Sequence, residues 1–280
     1  MREVTLEAHA KINLFLRVLG LREDEYHELE SLVVPISLSD KVTCWPARKL
    51  SLRVAGQDVP LPPGPDNLAV VAALALGETS GFPEGAEIEL EKHIPVAAGL
   101  GGGSADAAAV LLALDELWGC GLTEEELSDV AAAVGSDVPA MLVGRPVLAR
   151  GRGERLRPAR VPRMWWVVVP GGFEVRTPDA FRWWDEDGGP TGPDPKALVD
   201  ALAAGDLAVA APLFYNDLEE PVFARNREVT ETKRSLLDAG AVAAIMCGSG
   251  PTVAGLAAAE ADARRIACGF PEAIVTCSPP

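Results

Sequence analysis

Several features are scarce in this chain of 280 residues. No apolar run approaches the roughly 18 residues that cross a bilayer, and the N-terminus lacks a signal-peptide core, so a cytoplasmic chain away from the membrane is expected. The five cysteines, Cys44, Cys120, Cys247, Cys268 and Cys277, form no Cys-x-x-Cys pair, and the three histidines all fall within the first 93 residues. That pattern excludes a zinc spacing and agrees with a reducing compartment. Positive charge is also short. A net charge of −16 argues against nucleic acid or an anionic membrane as partner. No internal repeat or low-complexity tract dominates. What is present is 48% hydrophobic content, over a length able to bury the core of two lobes or of one large domain.

The most informative segment runs from Pro95 to Ala108. Four of the five residues from Gly99 to Gly103 are glycine, and apolar residues then recur at Ala107, Val110, Leu111, Leu114 and Trp118, as on one face of an amphipathic helix. Ser104 is the expected N-cap. Upstream, Ala86 to Glu91 alternates small or apolar with charged residues, which predicts a half-exposed strand. Strand, glycine loop and helix in that order suit a phosphate: backbone N–H groups crowd around the anion with no Cβ in the way, and the helix adds its positive end. Other phosphate loops do not fit. A Walker A loop ends in Gly-Lys-Ser/Thr, and no lysine follows these glycines. A dinucleotide fingerprint needs a third glycine where Ser104 stands and a second strand where the pattern is helical. The His-Arg-Asp and Asp-Phe-Gly tripeptides of protein kinases are absent. A purely structural turn requires fewer glycines.

Strand and helix signals alternate up to Pro139–Leu142. The charged glycine segment Arg150–Glu154 and a proline-rich stretch from Arg157 to Arg163 then lead to Trp165–Pro170, a run of β-formers that predicts a buried strand. A lobe boundary is placed here, dividing 1–157 from 158–280. Residues 185–195 read as a surface loop, helical patterns follow over 195–207 and 226–239, and a second glycine loop at Gly248 lies between apolar strands. Trp183 and Trp184 are expected to cap the core, one ring in and one partly out.

The segment Pro-x-x-x-Gly-Leu-Gly-Gly-Gly-Ser-Ala-Asp-Ala-Ala from Pro95 to Ala108 resembles the ATP-binding motif of the GHMP kinases. Three further segments extend the likeness in the same order: Ala8–Leu16 with Tyr26-His27-Glu28-Leu29, Gly135–Pro139, and Cys247–Thr252. Two positions depart from the family pattern, His9 where proline is usual and Cys247 where serine is frequent. Neither removes a reactive group.

The resemblance implies an α+β, two-lobed GHMP kinase fold. The first lobe has a mixed sheet with helices, and the second an antiparallel sheet with helices, its last strand a candidate to return to the first lobe. It implies an ATP-dependent small-molecule kinase of the branch whose acceptor is a cytidine-diphosphate-linked polyol, phosphorylated on its 2-hydroxyl towards isoprenoid precursors. Monomer and homodimer both fit.

Transfer to an alcohol needs a held triphosphate, compensated charge and a base for the acceptor proton. Pro95, Val96, Ala97, Ala98, Gly99, Leu100, Gly101, Gly102, Gly103, Ser104 and Ala105 are the expected ATP cradle, with Asn67 and Lys92 at the nucleoside by resemblance. Asp137 is the expected base and Lys11 the expected charge stabiliser. Ser104 is the expected ligand of Mg2+, which keeps most of its coordination for phosphate and water. Asn13, Tyr26, His27, Thr177, Gly248 and Ser249 are expected at the acceptor, Tyr26 and His27 at its cytosine. Structural alternatives stand beside these roles: a helix cap for Asp137 and for Asn67, a solvated lysine for Lys11 and for Lys92, a polar turn for Tyr26-His27. A ligand sensor without turnover is a further alternative, disfavoured because it would not need the Lys11/Asp137 pair.

Overall fold

The computed structural model describes residues 2–56, 64, 66–82 and 85–279; Pro65, beside Asn67, lies outside them. The chain forms two compact units that interleave along the sequence. The first comprises residues 1–10, 38–96 and 101–144, and the second residues 11–37, 97–100 and 145–280. Two long strands, β1 (Val4–Leu21) and β2 (His27–Ala47), contribute to both.

In the first unit the last part of β2 pairs antiparallel with β4 (Gly85–Glu91), from Lys41↔Glu91 to Ala47↔Gly85, and β3 (Ser51–Ala55) joins β4 in parallel. The alternation read from the sequence of β4 is real: Ala86, Ile88 and Leu90 are buried and the residues between them are not. The helices of this unit are α1 (Leu68–Ser80), α2 (Gly102–Trp118), α3 (Glu124–Val134) and α4 (Val138–Val143). Ala107, Val110, Leu111 and Leu114 of α2 are buried with Leu76 of α1, Ile88 and Leu90 of β4, and Val130 of α3 in one core. Each of those larger side chains contributes ~1.5–3 kcal/mol on removal from water. Thr123 and Glu126 form a reciprocal capping box at the start of α3.

One expectation is corrected here. Ser104 is not an N-cap: α2 begins two residues before it, after Gly101 (φ 71), so that Ser104 lies inside the first turn. Gly102 and Gly103 carry no side chain to compete for backbone hydrogen bonds, and they continue the helix back to Gly101, whose carbonyl accepts from Ala105 N at 2.9 Å.

In the second unit the first part of β2 pairs antiparallel with β5 (Val147–Gly151), which continues to β6 (Arg155–Pro158), and β1 pairs in parallel with the two residues of β8 (Tyr215–Asn216). A separate antiparallel sheet has the order β11 (Ile274–Ser278), β7 (Met164–Val169), β10 (Val253–Ala257), β9 (Ala243–Met246). The last strand therefore does not return to the first lobe: β11 lies antiparallel to β7, with Ile274↔Val168 and Thr276↔Trp166.

The helices are α5 (Thr177–Glu186), α6 (Lys196–Ala203), α7 (Leu207–Ala210), α8 (Glu219–Arg225), α9 (Arg227–Asp238) and α10 (Glu260–Ala267). The pattern over 195–207 resolves into α6 and the start of α7, separated at Gly205 (φ 74). The loop read from 185 starts later, because Asp185 and Glu186 finish α5. Trp184 is buried and Trp183 half-buried, as expected of a core-capping pair. Among the described residues no helix is long and apolar enough to cross a membrane.

Candidate active site

The glycine loop has the backbone its composition predicts. Ala97, Gly99 and Gly101 take positive φ (54, 76 and 71) at every second position, an alternation of the kind that turns successive N–H groups into an anion-binding concavity. Ala97 is an L-residue in this region, which costs roughly 1–2 kcal/mol. It is exposed there, at a loop bend, whereas Ala98 and Leu100 are buried anchors.

Within the second unit Lys11, Asn13, Gly99, Leu100 and Gly248 come together. Lys11 N donates to Leu100 O at 2.9 Å. The Lys11 ammonium, 3% exposed, donates to Gly99 O at 3.0 Å and Asn13 Oδ1 at 2.8 Å. Lys11 is thus not a solvated strand lysine. Asn13 is held in turn: its Nδ2 donates to Ser31 Oγ at 2.8 Å, and Ser31 donates to Phe15 O at 2.9 Å. A lysine has only donors, so the Asn13 oxygen must face it. Asn13 therefore orients Lys11 as well as lying beside it.

The two glycine loops meet closely. A Cβ on Gly99 would stand 2.2 Å from Cys247 O and 2.9 Å from Gly250 O, and one on Gly248 would stand 3.0 Å from Lys11 Nζ. Ser249 Oγ and Thr177 Oγ1 are 3.0 Å apart, so these two predicted acceptor residues are neighbours. Burial pushes the Cys247 thiol up to about 12, which keeps it protonated.

Asn216 escaped the sequence reading. Its Nδ2 donates to Met246 O at 3.0 Å and Gly248 O at 2.8 Å while its Oδ1 accepts from Leu218 N. An asparagine in Tyr215-Asn216-Asp217 carries no local signal for this role, because the carbonyls it holds lie 30 and 32 residues away.

His27 opens β2, and Tyr26 belongs to the preceding turn. The His27 ring stacks on Phe181 (centroids 4.8 Å apart, 21° between planes), meets Trp184 edge-on, and places Nε2 3.1 Å from both Asp185 oxygens. Phe181, Trp184 and Asp185, spaced along α5, thus form a wall against His27. Tyr26 is exposed, with the Arg152 guanidinium 4.8 Å above its ring.

In the first unit, Pro95 and Val96 are half-buried and Gly101 to Ala105 run into α2. A Cβ on Gly103, which is exposed, would meet only Leu68 Cδ1 at 3.6 Å, whereas one on Gly102 would press on Ile94 at 3.0 Å. Asn67 caps α1, its Oδ1 accepting from Ala69 N at 3.0 Å. The Lys92 ammonium, 3% exposed, is paired with Asp40 and Asp106, so any nucleoside contact at this position falls to its main chain. Asp137 stands at the N-cap position of α4, half-buried, and its side chain makes no capping hydrogen bond to that helix. The cap alternative is thereby removed for Asp137 and realised for Asn67. Among the described residues no group of three or more His, Cys, Asp or Glu side chains could hold a metal.

The GHMP kinases N-terminal domain family matches residues 67–145, and the GHMP kinases C-terminal family residues 198–275. The chain is 46% identical over 270 residues to the 4-diphosphocytidyl-2-C-methyl-D-erythritol kinase of Pelotomaculum thermopropionicum, covering 95% of this chain and 93% of that one. It is 44% identical over 284 residues to the kinase of the same name from Moorella thermoacetica, covering 99% of each. A crystal structure of 4-(cytidine 5'-diphospho)-2C-methyl-D-erythritol kinase superposes with a TM-score of 0.82 at 40% identity, over 98% of this chain and 99% of that one. A homoserine kinase from Cytophaga hutchinsonii, 23% identical with a TM-score of 0.75 over 99% of this chain and 95% of that one, shares the fold. The chain belongs to the 4-diphosphocytidyl-2-C-methyl-D-erythritol kinase family of the GHMP kinases.

Proposed function

We propose that this chain transfers the γ-phosphoryl group of ATP to the 2-hydroxyl of 4-diphosphocytidyl-2-C-methyl-D-erythritol. The carrying observation is the junction of two glycine loops against a buried ammonium: Lys11 Nζ on Gly99 O, with Gly99 and Gly248 both at positions that a Cβ would fill. In this reading the junction sets one positive charge beside the closely packed backbones of both loops, to meet a phosphoryl group.

In this reading the amides from Pro95 to Ala105 hold the triphosphate, and Asn67 and Lys92 border the nucleoside. Asp137 takes the proton of the acceptor hydroxyl as its oxygen bonds to phosphorus and ADP leaves. Lys11, oriented by Asn13, offsets the negative charge that builds up. Mg2+ would come with the triphosphate, and the Ser104 hydroxyl, in the first turn of α2, would supplement phosphate and water oxygens as a hard oxygen donor. When bound, the ion supplies charge neutralisation. Tyr26 and His27 hold the cytosine, backed by the wall of α5, and Thr177, Gly248 and Ser249 line the acceptor.

The two family matches, to residues 67–145 and 198–275, leave a boundary at 157 and 158 within the segment between them, whereas the compact units divide differently, residues 11–37, 97–100 and 145–157 lying with the second. A cytoplasmic location, acting as monomer or homodimer in the supply of isoprenoid precursors, completes the proposal.

The test is to incubate the purified protein with ATP, Mg2+ and a panel containing the cytidyl substrate, homoserine and mevalonate, and to identify products by mass. Phosphorylation of the cytidyl compound alone is expected. Phosphorylation of another acceptor, or of none, would overturn the assignment.

A further inference from the structure

The first unit buries a cluster of three charged side chains that none of the roles above uses, Lys92 bordering the nucleoside only through its main chain. Lys92 Nζ lies between Asp40, with which it pairs through Oδ2, and Asp106, whose Oδ2 is 2.5 Å away. All three side chains are at most 4% exposed. Asp40 Oδ1 accepts from the main-chain N–H groups of His93 at 2.5 Å and Ile94 at 2.8 Å. Asp106 Oδ1, also buried, has no hydrogen-bond partner among the described residues.

Where these residues fall in the chain matters more than their charge. Lys92, His93 and Ile94 lead directly into Pro95, the first residue of the glycine loop, and Asp106 stands in α2 just beyond Ser104 and Ala105. Asp40, on β2, joins the entry side to the exit side. Gly102 packs at the same place, its missing Cβ 3.0 Å from Ile94 Cγ2 and 3.6 Å from Lys92 Nζ.

One ammonium between two buried carboxylates is a costly way to fill space. Removing charges from water is penalised heavily, and apolar side chains of similar volume often serve stability as well or better. Burial raises the Asp106 carboxyl to about 7 even with Lys92 beside it, which registers that cost. What charges provide and apolar packing does not is a fixed relative position of the groups that bear them. A loop with four glycines in five residues has unusually many conformations, and binding through its amides is weakened unless those conformations are already restricted.

We infer that Asp40, Lys92 and Asp106 form an ionic clamp across the base of the glycine loop, holding its two ends at a set separation so that its amides are pre-positioned for the triphosphate. The inference rests on the loop being the ATP site. The three are positioning residues, and none reaches the nucleotide with its side chain.

Two variants test it, each measured for thermal midpoint, for the midpoint shift produced by Mg-ATP, and for KM of ATP and of the cytidyl acceptor. Asp106→Asn keeps shape and removes a charge. The triple variant Asp40→Asn, Lys92→Met, Asp106→Leu removes every charge while leaving an amide oxygen for the His93 and Ile94 N–H groups, so it carries the test should the single variant fail to fold. The expected result is a rise of roughly tenfold in KM for ATP with the acceptor KM within about twofold of the parent. The triple variant is expected to keep a midpoint near that of the parent. A folded triple variant with parental ATP KM and parental Mg-ATP shift would overturn the clamp, as would equal increases in both KM values. If the parent protein itself gives no Mg-ATP shift and no turnover, the ATP-site reading fails and the clamp fails with it, an outcome distinct from a parent that binds ATP as well as its clamp variants do.

Discussion

Asp137 and Lys11 illustrate how the same residue types change meaning with their surroundings. An aspartate before a short helix usually caps it, yet Asp137 does not; a strand lysine usually reaches water, yet Lys11 is 3% exposed and bonded to Asn13 and Gly99. With Asp137 as base, Asp137→Asn is expected to lower kcat by roughly 100-fold or more while ATP-induced stabilisation persists; near-parental turnover in a steady-state assay would remove it from that role. His27 makes a different prediction. Stacked on Phe181 and hydrogen-bonded at Asp185, it is expected to act on the base, so His27→Ala should raise KM of the cytidyl substrate about tenfold and leave KM of ATP nearly unchanged. Equal changes in both would point to a general loss of structure.

Asp106 carries a pH signature. Its carboxyl is raised from an ordinary 3.8 to about 7, by burial first and then by Asp40, with Lys92 opposing. Between those values the native chain binds a proton that the unfolded chain does not, so the contribution of this group to stability falls as pH rises from about 4 to 7. Asp106→Asn removes that slope. Urea midpoints of parent and variant at pH 5 and pH 7.5 should show the parent losing ground on the variant at the higher pH, and parallel lines would contradict the shift.

Among the elements, the glycine loop separates two jobs that its sequence presents as one. Gly99 is glycine because φ is 76 and the carbonyls of Cys247 and Gly250 occupy the space of a Cβ. Gly103 has only an ordinary contact with Leu68 on that side. Gly99→Ala is therefore expected to lower the thermal midpoint by several degrees, through strain and the displaced second loop. Gly103→Val should leave the midpoint within a few degrees yet weaken ATP binding at least tenfold, by intruding among the amides. Calorimetry and ATP titration of the pair check both; a Gly103→Val protein with parental ATP affinity would remove that position from the cradle. The existence of α2 and of β4 was legible from periodicity, since Ile88, Leu90, Val110, Leu111 and Leu114 are all buried where the pattern puts them. The start of α2 was not, because a serine near a helix start signals a cap only when the preceding residues cannot themselves continue the helix, and Gly102 and Gly103 do so.

At the scale of the whole molecule, the net charge of −16 opposes both proposed substrates, which are anions. Main-chain amides, Lys11 and the metal brought by the triphosphate act over short distances, whereas the repulsive field of the surface acts over the Debye length and is screened by salt. Raising KCl from ~20 to ~150 mM is thus expected to leave kcat/KM for ATP unchanged or to increase it. A steep fall would reveal a local basic funnel that the overall charge conceals.

The sequence by itself determined the family, the order of strand, glycine loop and helix, and the residue types able to hold phosphate, because these depend on local spacing and on the missing Cβ of glycine. Tertiary structure alone decided which polar groups are neighbours. That Asn216 holds the Gly248 loop, that Phe181 and Asp185 back His27, and that Lys92 is held by Asp40 and Asp106 instead of lying in solvent are contacts between residues as much as 158 positions apart. No window along the chain contains both partners, and burial, which turns a solvated lysine into an ion-paired one, arises only when the separate elements pack.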